Sequence, residues 1–258
     1  MRALILAVLV VLAPSQAFAW GAIGHRVTGA LAQPLLSAKA RAEVSKVIGT
    51  ETLAEASTWA DEMRSSPEPF WQSTANPWHY VTVPPGKAYP DVGAPPEGDS
   101  VAALAKFAAT LKDKSATQAE KALALRFAVH IIGDLHQPLH VGNGADRGGN
   151  DVKVTLFGAE TNLHAVWDSG LIDKRQLSYT EYAAFLSRRV GKAEIAQWSD
   201  ADPFVWIAES AALRDGVYPP AGQTALGWKY AFDHRETIDQ RLAQGGVRIA
   251  AWLNAVYR

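Results

Sequence analysis

The chain of 258 residues contains no cysteine. That absence excludes disulfides, thiol nucleophiles and every zinc site built on sulfur. A metal, if one is held, has to be held by histidine, carboxylate or backbone groups. An excess of one charge is also missing: 25 Lys and Arg stand against 26 Asp and Glu. A basic surface that coats duplex nucleic acid through many phosphate contacts is thereby excluded. The apolar run at residues 3–13 is eleven residues long, well short of the ~20 that cross a bilayer as a helix. Internal repeats and low-complexity tracts are absent. Gly142-Asn143-Gly144-Ala145-Asp146-Arg147 begins like a dinucleotide turn, but Arg147 stands where a third glycine is needed and no strand precedes it. No Gly-x-Ser-x-Gly elbow supports a serine hydrolase.

What is present starts with an address. Arg2, the short apolar run, Pro14 and Ala17-Phe18-Ala19 form the charged start, apolar core and small-residue site of a secretory signal peptide. Residues 1–19 are expected to be removed, leaving residues 20–258 as one exported domain with Trp20 at its amino terminus. Such a chain, at 48% hydrophobic residues, can bury a large core without staples.

Helical spacing dominates that domain. Helices are expected over 26–46 and 101–111, and from a capping-box pattern at Ser115-Ala116-Thr117-Gln118 to about Asp134, with Pro138 beyond. Three more are expected at 179–190, 203–214 and 225–257. Residues 67–96 form a long Pro-rich loop, 142–149 are rich in glycine, and 151–157 alternate as a short strand does. The fold class is therefore mainly α, a single helical domain with a short β-hairpin and long loops.

Function is concentrated in the 7 histidines. His130 and Asp134 are four apart on the capped helix and share a face. Their neighbours Phe127, Val129, Ile131 and Ile132 are apolar, and a carboxylate there is costly unless paired or bound to a cation. His164 and Asp168 repeat the spacing, His140 follows just past the end of the capped helix, and Asp61, His79 and His25 lie upstream. One such pair is more often an internal hydrogen bond than a metal site, and Arg126, His130 and Asp134 could form a salt-bridge ladder. Two pairs with four further candidates, in a chain without sulfur, point to a nitrogen and oxygen metal site. His136 fits an outer or exposed position, and His234 a solvated helix face.

These pieces resemble the zinc-dependent S1/P1 nuclease family, relatives of the bacterial zinc phospholipases C. The matching runs are Trp20-Gly21-Ala22-Ile23-Gly24-His25, Trp59-Ala60-Asp61, Trp78-His79-Tyr80, His130 through Gly133-Asp134 to Gln137-Pro138-Leu139-His140, Gly148-Gly149-Asn150, and Asn162-Leu163-His164-Ala165-Val166-Trp167-Asp168. The resemblance implies the phospholipase C/P1 nuclease type of fold and three Zn²⁺. Asp61, His79 and His130 would hold the first ion, and His140, His164 and Asp168 the second. The amine and carbonyl of Trp20 with His25 would hold the third, and Asp134 would bridge the first and third. It further implies an endonuclease that cuts single-stranded DNA and RNA to 5′-phosphate products, with 3′-nucleotidase activity. Asp61, Asp134 and Arg64 would be catalytic, with Arg64, Tyr80 and Asn150 contacting substrate. Three divalent ions and three carboxylates leave a charge of about +3, which supplies locally the attraction that the balanced surface lacks.

Two positions depart from the fungal pattern. Thr82 stands where a base-reading Asp is expected, and Gly170 where some members carry Asn. Missing disulfides fit a bacterial member, located in the periplasm or the medium, and no partner chain is implied beyond a monomer. The rival readings are a phospholipase C on the same scaffold and a non-catalytic periplasmic zinc-binding protein. The phospholipases use His-x-x-x-Glu where this chain has His164 and Asp168, and Arg64 speaks against a merely storing role.

Overall fold

The computed structural model describes residues 20–258; the signal-peptide expectation lies outside the described residues. Among these, no helix is long and apolar enough to cross a membrane. The helices in chain order are α1 (Ala22–Ala32), α2 (Ala38–Ile48), α3 (Leu53–Ala56), α4 (Trp59–Met63), α5 (Tyr89–Val92), α6 (Ser100–Lys112), α7 (Gln118–Asp134), α8 (Leu163–Ala165), α9 (Leu171–Asp173), α10 (Tyr179–Ser187), α11 (Lys192–Trp198), α12 (Pro203–Arg214) and α13 (Trp228–Val256). Short strands β1 (Val81–Thr82), β2 (Val141–Gly142), β3 (Lys153–Leu156), β4 (Ala159–Asn162) and β5 (Ala225–Leu226) complete it. The mainly α expectation holds, hairpin included: β3 and β4 pair antiparallel, with Lys153 opposite Asn162.

The stretch expected as a loop over 67–96 carries β1 and α5, and the helix expected over 179–190 stops at Ser187; three further differences have a plain physical cause. The helix expected over 26–46 is two helices, because Pro34 opens a 3-10 turn between α1 and α2 and cannot donate to a continuing helix. The cap of α7 is Thr117, whose hydroxyl accepts from Glu120 N–H while Glu120 reaches back to Thr117 N–H; the box is shifted two residues from Ser115. The last helix starts at Trp228, since Ala225–Leu226 instead pair in parallel with Thr155–Leu156.

The centre of the fold is α7. From Ala124 to Asp134 nearly every side chain on it is buried, as in a helix packed on all sides. One apolar cluster surrounds it, with Phe127, Leu125 and Ile131 against Trp71, Trp78, Phe107 and Leu253. A second joins Trp20, Val27, Trp167, Ile172 and Leu242. His130 and Asp134 lie at full burial in α7, so packing carries two ionisable groups into the interior, where they require partners.

Candidate metal centre and cleft

Each element delivers a few side chains to one place. α1 brings His25, whose ring stacks on His130 with centroids 3.9 Å apart. The close approach depends on Gly133: a Cβ there would lie 3.0 Å from His25 Nδ1. Asp61 comes from α4, His79 from a 3-10 turn at Asn76–His79, and His140 from one at Pro138–His140. α8 supplies His164, and the π-turn after it supplies Asp168.

The imidazoles are oriented by backbone carbonyls. His130 Nδ1 donates to Ser57 O at 2.7 Å, His140 Nδ1 to His79 O at 2.7 Å, and His164 Nδ1 to Gly148 O at 2.7 Å. Their Nε2 lone pairs are thereby aimed inward, the arrangement usual for metal-binding histidine. His79 points the other way round: its Nδ1 lies 2.9 Å from His130 Nε2 and 3.2 Å from Asp134 Oδ2.

Asp134 faces both sides at once. Its Oδ1 is 3.2 Å from His25 Nε2, and its Oδ2 is 3.2 Å from both His79 Nδ1 and His130 Nε2. Asp61 Oδ1 completes that side at 3.7 Å from His130 Nε2. In the second cluster, Asp168 places Oδ2 3.0 Å from His164 Nε2 and Oδ1 3.6 Å from His140 Nε2. The fully buried Gln137 donates from Nε2 to Asp168 Oδ1 at 2.7 Å, while its Oε1 accepts from Leu139 N–H.

Hydrogen bonds alone do not satisfy this arrangement. Among the described residues, buried side-chain atoms without a partner include His25 Nδ1 and Nε2, Asp61 Oδ1, His79 Nε2, Asp134 Oδ1, His140 Nε2 and Asp168 Oδ2. His25 Nε2 and Asp134 Oδ1 sit within ion-pair distance but are poorly aligned for a hydrogen bond. That is how two ligands of one cation meet. Zinc bonds of ~2.0–2.1 Å in tetrahedral geometry put ligand atoms ~3.3–3.4 Å apart, within the 2.9 to 3.7 Å found. Three groups have ligand atoms that all lie within 4.8 Å of one another: His25, His130, Asp134; Asp61, His79, His130; and His140, His164, Asp168. The residues fit a cluster of divalent ions.

Electrostatics agree. Burial pushes His79 down to about 4. His140 is raised to about 9; burial opposes this, but Asp134 and Asp168 outweigh it. Burial also opposes ionisation of Asp134, yet His130 and His140 hold its carboxyl well below the usual range. Without ions, protons shared among imidazoles must balance the buried carboxylates.

The cluster opens into a cleft of about 540 Å³ lined in part by His79, His140, His164, Arg64, Tyr80 and Asn150. Arg64 Nη1 is 3.6 Å from Asp61 Oδ1 and its Nη2 donates to Asn76 Oδ1 at 3.3 Å. Tyr80 is 43% exposed, and Asn150 donates to Arg147 O at 2.9 Å. Thr82 also lines the cleft. Gly170 packs against Leu156, whose Cδ2 a Cβ would meet at 2.5 Å.

This architecture matches known proteins along its length. The family model described as S1/P1 Nuclease matches residues 20–258. The chain belongs to the S1/P1 nuclease family. It is 31% identical to Nuclease P1 of Penicillium citrinum, covering 92% of this chain and 98% of that one. It is 29% identical to Nuclease S1 of Aspergillus oryzae, covering 93% and 92%. Endonuclease 4 of Arabidopsis thaliana is 29% identical, covering 93% and 90%. The family is metal-dependent, and this member is a nuclease, a hydrolase of nucleic acid.

Of the residues singled out from sequence, Trp20 has a fully buried side chain, and the adjoining Gly21 N–H donates to Asp168 O at 2.7 Å. Three others fall outside the cluster: the salt-bridge alternative for Arg126 fails, His136 is not exposed, and His234 is packed. Arg126 leaves the His130 face and binds Glu51 at 2.6 Å, so no ladder forms. His136 is fully buried, donating from Nδ1 to Ile132 O at 2.6 Å with Nε2 3.1 Å from Arg248. His234 packs on Trp167 and Tyr230 instead of standing in solvent. Sequence reasoning missed the Ser57 carbonyl, Asn76 and the role of Gln137. For Gln137 a signal existed, an amide two residues before a candidate ligand; for a carbonyl there is none.

Proposed function

We propose that the mature chain holds three zinc ions and hydrolyses phosphodiester bonds of single-stranded DNA and RNA to 5′-phosphate products, with 3′-nucleotidase activity, after export. The observation that carries this reading is Asp134, whose two oxygens face separate histidine sets beside a cleft bearing Arg64. His130 falls in two of the three ligand groups, and its single inward nitrogen can serve one ion. Assigning it with Asp61 and His79 leaves His25 and Asp134 short of donors, a gap the Trp20 amine and carbonyl would fill. His140, His164 and Asp168 hold the remaining ion. When bound, such ions lower the pKa of water toward ~7 and offset phosphodiester charge.

The chain's own groups supply the rest. Arg64, steadied by Asp61 and Asn76, presents a planar fork suited to the scissile phosphate. The exposed ring of Tyr80 offers a stacking wall, which accepts any base, and Asn150 contributes an amide at the rim. Thr82 carries no charge with which to read a base, in keeping with a broad substrate range. A recessed site favours unstacked, flexible strands over duplex.

Only a free α-amine at Trp20 completes the third site, so activity should follow cleavage after Ala19. The test compares a chain starting at Trp20 with one bearing a single extra residue. Expected is single-strand hydrolysis that EDTA abolishes and zinc restores in the first, with one ion and most activity lost in the second. Equal activity and ion content in both would overturn the amine's role. Release of phosphocholine from lipid in preference to nucleotides would overturn the substrate assignment.

A further inference from the structure

Two arginines line the cleft, although one accounts for the scissile phosphate. Arg147 stands on its wall with Arg64. The Arg147 side chain is 78% exposed, and its ion pair with Asp151 is one contact at 3.5 Å. Such a pair between exposed groups contributes ~0–1 kcal/mol, so a phosphate can take its place.

The backbone beneath that side chain is held firmly. Arg147 has φ +55, a region that a bulky residue rarely adopts and that persists where surrounding contacts over-determine it. Those contacts are present. Asp146 accepts from Gly149 N–H at 2.9 Å and from the Tyr218 hydroxyl at 2.7 Å. Asn143 accepts from Ala145 N–H at 2.7 Å, and Asn150 donates to Arg147 O at 2.9 Å. A loop clamped on both sides thus presents an exposed guanidinium, held by one long ion pair, to the cleft, with the aromatic ring of Tyr80 and the guanidinium of Arg64 on the same lining.

We propose that Arg147 holds a second, non-scissile phosphate, the one adjoining the phosphodiester under attack, and so makes the enzyme prefer strands of three or more nucleotides over dinucleotides. The inference rests on the proposed hydrolysis of single strands. Tyr80 would then carry the base lying between two gripped phosphates, and a substrate with a single phosphate would forgo the second grip.

The experiment measures kcat/KM on a dinucleoside monophosphate and a trinucleoside diphosphate, for the wild type, Arg147→Ala, Arg147→Lys and the control Arg188→Ala, an exposed arginine away from the cleft. Expected for Arg147→Ala is a loss of about tenfold on the longer substrate, at least five times its loss on the shorter and carried by KM. The slope of log kcat/KM against log salt on the longer substrate should flatten, as it does when a phosphate contact is lost. Arg147→Lys should keep most of that slope, and Arg188→Ala should alter neither substrate. Equal losses on both substrates, or none, would overturn the inference. If the wild type cleaved neither substrate, the nuclease reading would be the one at fault. Binding of a fluorescent trinucleoside diphosphate would then decide the role of Arg147 separately, with unchanged affinity in Arg147→Ala overturning it.

Discussion

Replacing Asp134 with asparagine keeps the shape of the side chain and removes its charge. The residue is fully buried, with one oxygen 3.2 Å from His25 and the other 3.2 Å from His79 and His130. An amide can present a single oxygen, neutral, so one of the two ions loses this ligand outright and the other keeps only a weaker one. If each ion is bound about 100-fold less tightly, each loses about 2.7 kcal/mol of linked stabilisation, and the pair about 5 kcal/mol. In a domain of this size 1 kcal/mol moves Tm by roughly 2–4 °C. The zinc-induced rise in Tm should therefore shrink by about 10–20 °C. Calorimetry in EDTA and in excess zinc isolates this difference, because the EDTA scan registers any folding cost of the substitution itself. An Asp134→Asn protein with the wild-type zinc-induced rise and a full complement of ions would refute the bridging role.

Protons and the groups that support the ligands set further expectations. In metal-free protein His140 has a pKa of about 9 against an ordinary 6.5, so its stabilisation is complete below pH 6.5 and disappears as pH climbs to 9. His79, depressed to about 4, acts oppositely: the fold loses stability as pH falls from 6.5 to 4. Tm in EDTA should peak near pH 6.5, and zinc should remove the alkaline decline by replacing the His140 proton; a metal-free Tm that stays level up to pH 9 would contradict this. Gln137→Ala frees Asp168 Oδ1 from its 2.7 Å amide, and loss of such an outer contact weakens metal binding by ~10–100-fold. Competitive chelation should find one ion released early from the variant while the others remain; release of all ions together would argue against it.

Much of the site could be read along the chain because its spacing is local. His130 with Asp134, and His164 with Asp168, share faces through four-residue spacing, and the apolar neighbours of the first pair announced its burial. Asp61, His79 and His25 were linked to them by resemblance, since nothing in linear spacing says that α1 and α4 meet on α7. What stayed hidden has a common cause. The short helices α3, α4 and α11 are too brief to form on propensity and depend on tertiary packing. The parallel pairing of Val81 with Val141 joins strands too short to alternate. Ser57 contributes only a carbonyl, which no residue type betrays. Pro34, by contrast, was visible in the sequence, yet the helix expected over 26–46 ran through it; the break between α1 and α2 needs the extended Leu36 and the Ser37 cap as well as the proline.

Whether a three-ion cluster cuts single strands is decided by counting metal per chain in protein that begins at Trp20, alongside hydrolysis of single-stranded DNA before EDTA, after it, and after zinc is returned. Expected are three zinc ions per chain, with activity lost with the ions and regained with them. Full hydrolysis in protein holding one ion or none would contradict it.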